Sequence, residues 1–367
     1  MRPVRIALLT YSTKPRGGVV HTLALAEALV RAGAEVDVWT LARGGDRAFF
    51  RPVDPDVGIR AVPFPEVPAE SVGRRILRSI DTLRAALADA EAYDVVHAQD
   101  CISANAALAA GLPCLRTIHH LDQFTTPELV ACHDRAVVEP AAHICVSESV
   151  ALEVRAGYGV EATVIPNGVD ATRFERAAGS DGAEARERWT GKLGPYVLAL
   201  GGIEPRKGSI DLLEAFALLR RRRRDLRLVF AGGETLFDYR DYRAAFDRRA
   251  SALAIEPEML GVVEDAELPS LVAAASAMAF VSTKEGFGLA AMEALAAGVP
   301  VVARDLPVLR EVFGGAVRFA SDPMGIAGSL AEVLESPPDP RVGLDLARSY
   351  TWDAAAAAHL DVYARLT

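Results

Sequence analysis

Cysteine is scarce in this chain of 367 residues, which has four, and none of them is spaced as in a CxxC pair or a zinc ribbon. This spacing excludes the common cysteine-based metal sites. All four lie in the N-terminal half, at Cys101, Cys114, Cys132 and Cys145. We expect buried, reduced thiols, as in proteins of a reducing compartment.

Long apolar runs are also missing. The longest stretch of low charge, residues 271–282, is too short to cross a bilayer. Residues 1–12 hold only a brief apolar run before polar residues, which predicts a first strand and not a signal peptide. We therefore expect a cytoplasmic protein.

An excess of positive charge is absent too, because 40 lysines and arginines stand against 49 acidic residues, a formal net charge of −9. This balance argues against a nucleic-acid partner held by bulk charge. The composition, 51% hydrophobic and 24% charged, is typical of a globular protein. At roughly 150 residues per domain, the length predicts two domains.

Short apolar runs alternate with helical patterns along most of the chain. This order predicts βαβ units and therefore an α/β fold with parallel sheets covered on both faces. A first helix is predicted at about residues 19–32. The predicted strands are residues 5–10, 35–40, 94–97, 115–119, 143–146, 196–200, 226–231, 278–281 and 299–303.

Two further segments organise the chain. Residues 173–195 lack apolar periodicity, and we interpret them as a linker and the irregular start of a second domain. Residues 352–366 predict one alanine-rich helix of low charge, which needs burial and which we expect to pack back on the first domain.

A glycine pair follows the first predicted strand. Gly17 and Gly18 open the first helix, where free N–H groups and the helix dipole suit a phosphate. The pattern is not GxGxxG, so a dinucleotide fold is not indicated. A plain tight turn is an equal alternative.

A second glycine-rich turn carries two cations. The sequence GGIEPRKG at 201–208 lies between a strand and a helix, with Arg206 and Lys207 adjacent. Two cations there could offset the charge of a diphosphate leaving group. A solvated turn is the alternative, but the position at a strand end favours a ligand.

A third candidate is the segment KEGFGL at 284–289 with the helix behind it. Glu285 and Glu293 are eight residues apart, a spacing that stays on one face of a straight helix. A helix that begins near Gly288 would instead leave Glu285 in front of it. A carboxylate within the apolar sequence LAAMEALAAG needs a partner, for which we weigh a ribose diol against an arginine.

Histidines form the last set, because His97 and His119 each end a predicted strand. Active sites of α/β proteins form at the carboxyl ends of strands. We weigh a role in the site equally against a structural role for each of them, and His120 is the weaker candidate of its pair.

Together these motifs resemble the retaining glycosyltransferases of family 4, which have the GT-B fold. The resemblance covers nearly the whole chain and is strongest from 195 to about 314, with GGIEPRKG, AGG at 231–233 and EGFGLAAMEALAAGVPVVA at 285–303. PNGVD at 166–170 adds the usual entry to an inter-domain linker.

This resemblance implies two Rossmann-like domains that face each other across a cleft. An N-terminal acceptor domain would span 1–172 and take back the C-terminal helix 352–367, and a donor domain would span 173–351. The donor would be a UDP- or GDP-hexose, the acceptor a hydroxyl group, and the reaction independent of metals and of any cofactor.

The resemblance also implies residue roles. Arg206 and Lys207 would hold the diphosphate, Glu285 and His119 would approach the sugar, and Glu293 would bind the ribose. We take Arg206, Lys207, Glu285 and His119 as the catalytic set. The expected substrate-binding residues are Gly17, Gly18, His97, Gly202, Gly233, Val263, Gly286, Phe287, Gly288, Leu289 and Glu293.

Three positions depart from the family pattern. His120 stands where many relatives have Asp, Gln99 where many have a second His, and Ala290 where Pro is common. The first two bear on the contacts to acceptor and sugar. A nucleotide-sugar epimerase of the same fold and a non-catalytic nucleotide-sugar-binding protein stay as alternatives.

Four arginines lie on one predicted helix of the first domain: Arg74, Arg75, Arg78 and Arg84. A basic helix of this kind can lie on an anionic membrane surface, although Asp81 and Asp89 reduce its positive charge. A weak peripheral contact with the inner face of a membrane is therefore included among the expected interactions.

Overall fold

The computed structural model describes residues 2–121, 124, 126–233 and 239–366. The chain forms two compact units. Unit 1 contains Met1–Gly168 and Thr351–Thr367, and unit 2 contains Val169–Tyr350. Each unit is a parallel sheet with helices, so the predicted pair of Rossmann-like parallel-sheet domains is confirmed.

Unit 1 is built on a seven-stranded sheet in the order β3-β2-β1-β4-β5-β6-β7. Its strands are β1 (Arg5–Leu9), β2 (Glu35–Arg43), β3 (Gly58–Phe64), β4 (Val95–Ala98), β5 (Leu115–Ile118), β6 (Ala142–Cys145) and β7 (Thr163–Val164). Its first helices are α1 (Gly17–Arg31), α2 (Val72–Ala88), α3 (Cys101–Ala109), α4 (Pro127–Val138) and α5 (Glu148–Tyr158). The strand order reverses between β1 and β4, which is where ligands bind in open α/β sheets.

Unit 2 contains a six-stranded sheet in the order β10-β9-β8-β11-β12-β13, with the reversal between β8 and β11. It begins with α6 (Ala171–Ala178), α7 (Ala183–Leu193), β8 (Tyr196–Leu200), α8 (Ser209–Arg220), β9 (Arg227–Ala231), α9 (Arg240–Ala252) and β10 (Glu258–Gly261). It continues with α10 (Leu268–Ala273), β11 (Ala277–Phe280), α11 (Leu289–Ala296), β12 (Val301–Arg304), α12 (Pro307–Phe313), β13 (Arg318–Ala320), α13 (Pro323–Glu335) and α14 (Pro340–Ser349).

Apolar strand residues and local caps explain these elements. Strands β4, β5, β11 and β12 are buried at every position, which requires cover on both faces of a sheet. At the start of α3, the Asp100 carboxylate accepts from the Ser103 N–H while the Ser103 hydroxyl accepts from the Asp100 N–H, so both polar groups cap the helix. The three buried cysteines, Cys114, Cys132 and Cys145, are free thiols, as is the half-buried Cys101.

The interpretation of residues 173–195 as irregular is wrong, because α6 and α7 occupy most of this segment. Few residues of either helix are fully buried, and both helices contact α10. The buried residues are Ala171 and Phe174 in α6 and Leu193 in α7. So few apolar positions do not produce a detectable helical period in the sequence.

The chain returns to unit 1 for a last helix, α15 (Trp352–Tyr363), which packs on α1. The Thr351 hydroxyl caps this helix by accepting from the Ala354 N–H. Trp352, His359 and Tyr363 of α15 are buried in the core of unit 1. Within the described residues, no helix combines the length and the apolar composition that a membrane span requires.

Gly168 controls how closely α15 can approach unit 1. A Cβ at this position would collide with the backbone nitrogen of Trp352 and would lie 2.6 Å from the carbonyl carbon of Thr351. Backbone atoms cannot rotate away as a side chain can, so the start of α15 would have to shift.

We predict that Gly168→Ala lowers the free energy of unfolding of unit 1 by roughly 1 to 3 kcal/mol, the usual cost of overpacking. Thermal unfolding and hydrogen exchange of the α15 amides measure the effect. Gly157→Ala is the matched control, because no atom lies within 4 Å of a Cβ there and alanine favours the helix. Equal stability of the two variants would contradict the prediction.

Candidate functional site

Two loops of unit 2 meet where its strand order reverses. The loop after β8 contains Arg206 and Lys207, and the loop after β11 contains Thr283 and Glu285. The Thr283 N–H donates to the Arg206 carbonyl oxygen over 2.7 Å. This backbone hydrogen bond fixes the two loops side by side at the carboxyl edge of the sheet.

The charged side chains of these loops form one ionic cluster. Lys207 Nζ lies 2.7 Å and Arg206 Nη1 lies 3.2 Å from the same oxygen, Glu285 Oε1. Burial would raise the pKa of Glu285, but the charges of Lys207 and Arg206 and hydrogen bonds from Lys207 and Ser282 outweigh it and lower the pKa to about 2. Glu285 is therefore a carboxylate at any ordinary pH, and the cluster keeps a net positive charge.

Two glycines give this turn its shape. Gly208 has a φ of +64°, and a Cβ on it would collide with the carbonyl oxygen of Val281. A Cβ on Gly202 would lie 2.5 Å from the carbonyl oxygen of Gly233, in the loop after β9. The turn therefore lies directly against its neighbouring loops, and side chains larger than hydrogen would separate them.

Helix α11 begins at the same edge of the sheet. Gly288 precedes its first residue, Leu289, with a φ of +102°, and no side chain caps the helix. The first N–H groups of such a helix have no partner within it, and they carry the positive end of its dipole. Phe287 is buried with its ring 5.3 Å from that of Tyr350, so its side chain packs inside unit 2. Gly286 is also buried.

Glu293 lies within α11, and Glu285 precedes the helix, so the two carboxylates do not share a helix face. No arginine pairs with Glu293 in the part of the chain that the structure describes. Its neighbour Arg173 pairs with Asp265 instead, at 2.8 Å. Burial, together with Asp265 and Asp170, raises the pKa of Glu293 to about 7 although Arg173 opposes this shift.

The loops after β9 and β10 lie beside the glycine-rich turn. Gly233 ends the described part of the loop after β9, and a Cβ on it would meet Val262 Cγ2 at 2.6 Å. Val263 follows as a half-buried residue. The structure thus brings Gly202, Gly233 and the Val262–Val263 pair into one region of unit 2.

In unit 1, the structure brings His119 to the start of α1. A Cβ on Gly18 would lie 3.6 Å from His119 Nε2, and Gly17 has open space around it. His119 Nε2 is buried and has no hydrogen-bond partner within the described residues. Burial, followed by His120 and Arg116, lowers the pKa of His119 to about 3, so its ring is neutral.

A second histidine, which sequence reasoning missed, supports His119. The ring of His21, on α1, meets that of His119 edge to face at 4.8 Å. His21 Nδ1 hydrogen-bonds Asn167 Oδ1 at 2.8 Å, and the ring also contacts Trp352. From the sequence, Asn167 was placed only in the linker motif. The signal that could have identified His21 is its position three residues after Gly18 on the same predicted helix.

His97, which is expected to bind substrate, lies in the interior of the unit 1 sheet. His97 is fully buried in β4, with Nδ1 2.8 Å from the Tyr363 hydroxyl and Nε2 2.7 Å from the Thr117 hydroxyl. Both ring nitrogens thus bind protein groups, and burial lowers the pKa of the imidazole. His97 thus joins β4 to β5 and α15 in the core of unit 1.

The described residues contain no group of three or more His, Cys, Asp or Glu side chains placed to hold a metal ion. Unit 2 offers cations and helix N–H groups at the carboxyl edge of its sheet, and unit 1 separately offers a neutral histidine beside a glycine pair. Such groups bind and stabilise anionic oxygen atoms.

Comparison with known proteins gives two family matches. Residues 15–173 match the model described as Glycosyltransferase Family 4, and residues 184–342 match the model described as Glycosyl transferases group 1. The chain is 31% identical to a D-inositol 3-phosphate glycosyltransferase of Xylanimonas cellulosilytica, over 100% of this chain and 98% of that protein.

Solved structures give the same fold. A sucrose-phosphate synthase of Thermosynechococcus elongatus superposes with a TM-score of 0.79 at 20% identity, covering 99% of each chain. Anabaena HepE in complex with UDP-glucose superposes with a TM-score of 0.73 at 18% identity, covering 98% of this chain and 99% of that one.

The pKa of Glu293 generates a prediction about stability. Its pKa of about 7 lies above that of an exposed glutamate, so the folded state binds a proton that the unfolded state releases. This contribution is complete below about pH 4 and is lost as the pH rises through 7.

We therefore predict that Glu293→Gln is more stable than the wild type by roughly 2 to 3 kcal/mol above pH 8, and that this advantage vanishes near pH 4. Denaturant unfolding across this pH range measures it. Glu256→Gln, on an exposed residue of the same unit, is the control and should show no such trend. A pH-independent difference for Glu293→Gln would contradict the assignment.

Proposed function

Since this chain belongs to glycosyltransferase family 4 and is a hexosyltransferase of the GT-B fold, we propose that it transfers a hexose from a nucleoside diphosphate sugar to a hydroxyl group, with retention of anomeric configuration. The observation that carries the donor assignment is the ionic cluster of Arg206, Lys207 and Glu285 beside the uncapped start of α11. The UDP-glucose complex of a structural neighbour supports the same class of donor.

Arg206 and Lys207 would neutralise the diphosphate. In transfer, the bond between the anomeric carbon and the phosphate oxygen breaks, and negative charge collects on the leaving diphosphate. A bond from the anomeric carbon to the acceptor oxygen forms, and the proton of the acceptor hydroxyl goes to an oxygen of the leaving diphosphate. Preformed cations and helix N–H groups stabilise this growing charge without moving. Two fixed cations and the α11 N–H groups would do the work that a divalent metal does in other transferases, and we therefore propose a metal-independent reaction.

Glu285 would stay with the cations when the donor binds. Its pKa of about 2 keeps it ionised, so its oxygens can accept hydrogen bonds from sugar hydroxyls as well as from Lys207 and Arg206. The same contacts hold both cations in place before the donor arrives. Preorganisation of this kind lowers the cost of assembling the site.

Glu293 would bind the ribose diol. An ionised carboxylate accepts two hydrogen bonds from adjacent hydroxyls, and the absence of a pairing arginine within the described residues leaves its oxygens available. Because the diol would stabilise the ionised form, donor binding should lower the pKa of Glu293 from its value of about 7. The donor should therefore bind more tightly as the pH rises through 7.

His119 would contact the hexose. Its ring is neutral, its Nε2 has no protein hydrogen bond within the described residues, and its contact with Gly18 places it at the start of α1. A neutral imidazole can donate or accept one hydrogen bond with a sugar hydroxyl without a charged group. Gly17 and Gly18 would add backbone N–H groups for the diphosphate.

The first test is donor hydrolysis across UDP-, GDP- and ADP-hexoses without an acceptor. We expect slow release of one nucleoside diphosphate, unaffected by EDTA, with the sugar keeping its anomeric configuration at early times. Loss of release in EDTA and recovery with manganese would contradict metal independence. Conversion of the donor sugar into its epimer, still attached to the nucleotide, would support the epimerase alternative.

The second test separates residue roles. Lys207→Ala should lower kcat by about 10²-fold or more with a smaller change in the donor KM, because charge on the diphosphate grows in the transition state. Glu293→Gln should mainly raise the donor KM, because ribose binding is equal in ground and transition states. His119→Ala should lower turnover and leave the affinity for free nucleoside diphosphate unchanged.

Steady-state kinetics and calorimetric titration of the nucleotide measure these effects. Lys192→Ala is the control for Lys207, since Lys192 lies over the ring of Trp189 on α7, outside the site. If His119→Ala loses nucleotide binding while Glu293→Gln keeps the wild-type donor KM, the proposed placement of the nucleotide on unit 2 is wrong.

A further inference from the structure

Four arginines gather at the carboxyl edge of the unit 1 sheet, outside the site described above. We call Arg16, Arg43, Arg75 and Arg78 the arginine cluster. Arg16 lies in the loop after β1, Arg43 ends β2, and Arg75 and Arg78 lie on α2. The aromatic rings of Tyr11 and Phe64 stand among them.

Ring faces hold three of these guanidinium groups. Arg43 lies 5.7 Å and Arg78 lies 3.8 Å from the centre of the buried Phe64 ring, so two cations share one ring. Arg16 lies 5.9 Å from the centre of the Tyr11 ring and donates to its hydroxyl over 2.9 Å. Aromatic faces orient arginines while leaving their N–H donors available to a ligand.

Carboxylates neutralise only part of this charge. Glu70 forms a bidentate pair with Arg78, at 2.7 and 2.8 Å. Among the described residues, no carboxylate forms an ion pair with Arg16 or Arg43. Burial and then the positive charges of Arg75, Arg16 and Arg78 lower the pKa of the Arg43 guanidinium.

A purely structural role does not explain this arrangement. Packing on Phe64 would be served equally by an uncharged side chain, and gathering like charges around a half-buried guanidinium costs free energy. A bound anion would offset the repulsion among these positive charges.

The position of the cluster relates it to the reaction. Arg16 directly precedes Gly17 at the start of α1, and Gly18 contacts His119. The arginine cluster and His119, to which we assign the hexose, therefore both lie at the start of α1. An acceptor with an anionic group on the arginines would have its remaining atoms near this start.

We propose that the arginine cluster binds a phosphate group carried by the acceptor, with Arg43 and Arg16 as its principal ligands. That the phosphate belongs to an acceptor rests on the proposed function, whereas the anion site itself is formed by unit 1 alone. Guanidinium groups offer paired N–H donors that match the oxygens of a phosphate. A phosphomonoester carries up to two negative charges and can pair with several cations, whereas a carboxylate carries one charge and needs only one cation.

The test measures phosphate binding apart from the donor site. Inorganic phosphate is titrated calorimetrically into the R206A/K207A variant, in which the diphosphate cations are removed. Arg43→Gln and Arg16→Gln, each added to this background, should weaken phosphate binding by about tenfold or more. Arg84→Gln is the matched control on α2, where Arg84 lies only near Asp81 at 3.8 Å, and it should leave phosphate binding unchanged.

A second arm distinguishes the carrier of the phosphate. Vesicles of phosphatidylcholine, with and without phosphatidic acid, are mixed with the same variants. Arg43-dependent binding of inorganic phosphate without vesicle binding supports a soluble phosphorylated acceptor, and Arg43-dependent binding to phosphatidic acid vesicles supports a lipid-borne phosphate. Thermal unfolding checks that each variant folds. If one of Arg43→Gln and Arg16→Gln does not fold, the other still tests the proposal.

The proposal is overturned if folded Arg43→Gln and Arg16→Gln variants bind phosphate and vesicles as the Arg84→Gln control does. This result is independent of donor hydrolysis, which is measured on the wild type without an acceptor. If the wild type hydrolyses no donor, the proposed function is wrong, and this conclusion does not depend on whether the arginine cluster binds phosphate.

Discussion

Parallel strand pairing is the constraint on which the rest of this structure depends. Every recorded strand pair in both sheets is parallel, so the carboxyl ends of the strands in each sheet share one edge. Residues far apart in the chain, such as Lys207 and Glu285, meet only because β8 and β11 are neighbours. The same rule brings His119 to the start of α1, since β4 and β5 follow β1 across the sheet.

The two units hold positive charge by different means. In unit 2, Glu285 contacts both cations, so the loops are stable before any anion binds. In unit 1, aromatic rings orient Arg43 and Arg16, and Arg78 pairs with the carboxylate of Glu70. A buried carboxylate preorganises a cation and also competes with an incoming anion, whereas a ring orients the cation without competing.

Central strands and strand-end motifs could be predicted from the sequence, and edge strands could not. The missed strands β3, β7, β10 and β13 are the outermost strands of their sheets, where partial exposure removes the continuous apolar run. GGIEPRKG and the segment of Glu285 identified two loops that do meet, because their local chemistry is unusual. The partners of His97, Thr117 and Tyr363, could not be predicted, because they come from distant segments that no local pattern connects.

The return of α15 to unit 1 has a consequence for how the protein is made. Unit 2 is continuous in the chain, so the ribosome delivers all of it before residues 351–366 emerge. Until then unit 1 lacks the Tyr363 hydroxyl that binds His97 and the indole that covers His21. Domains generally complete folding as units during synthesis, N-terminal first. Here the order is reversed: the second unit to be translated is the first that can finish, and the first unit waits with an open core.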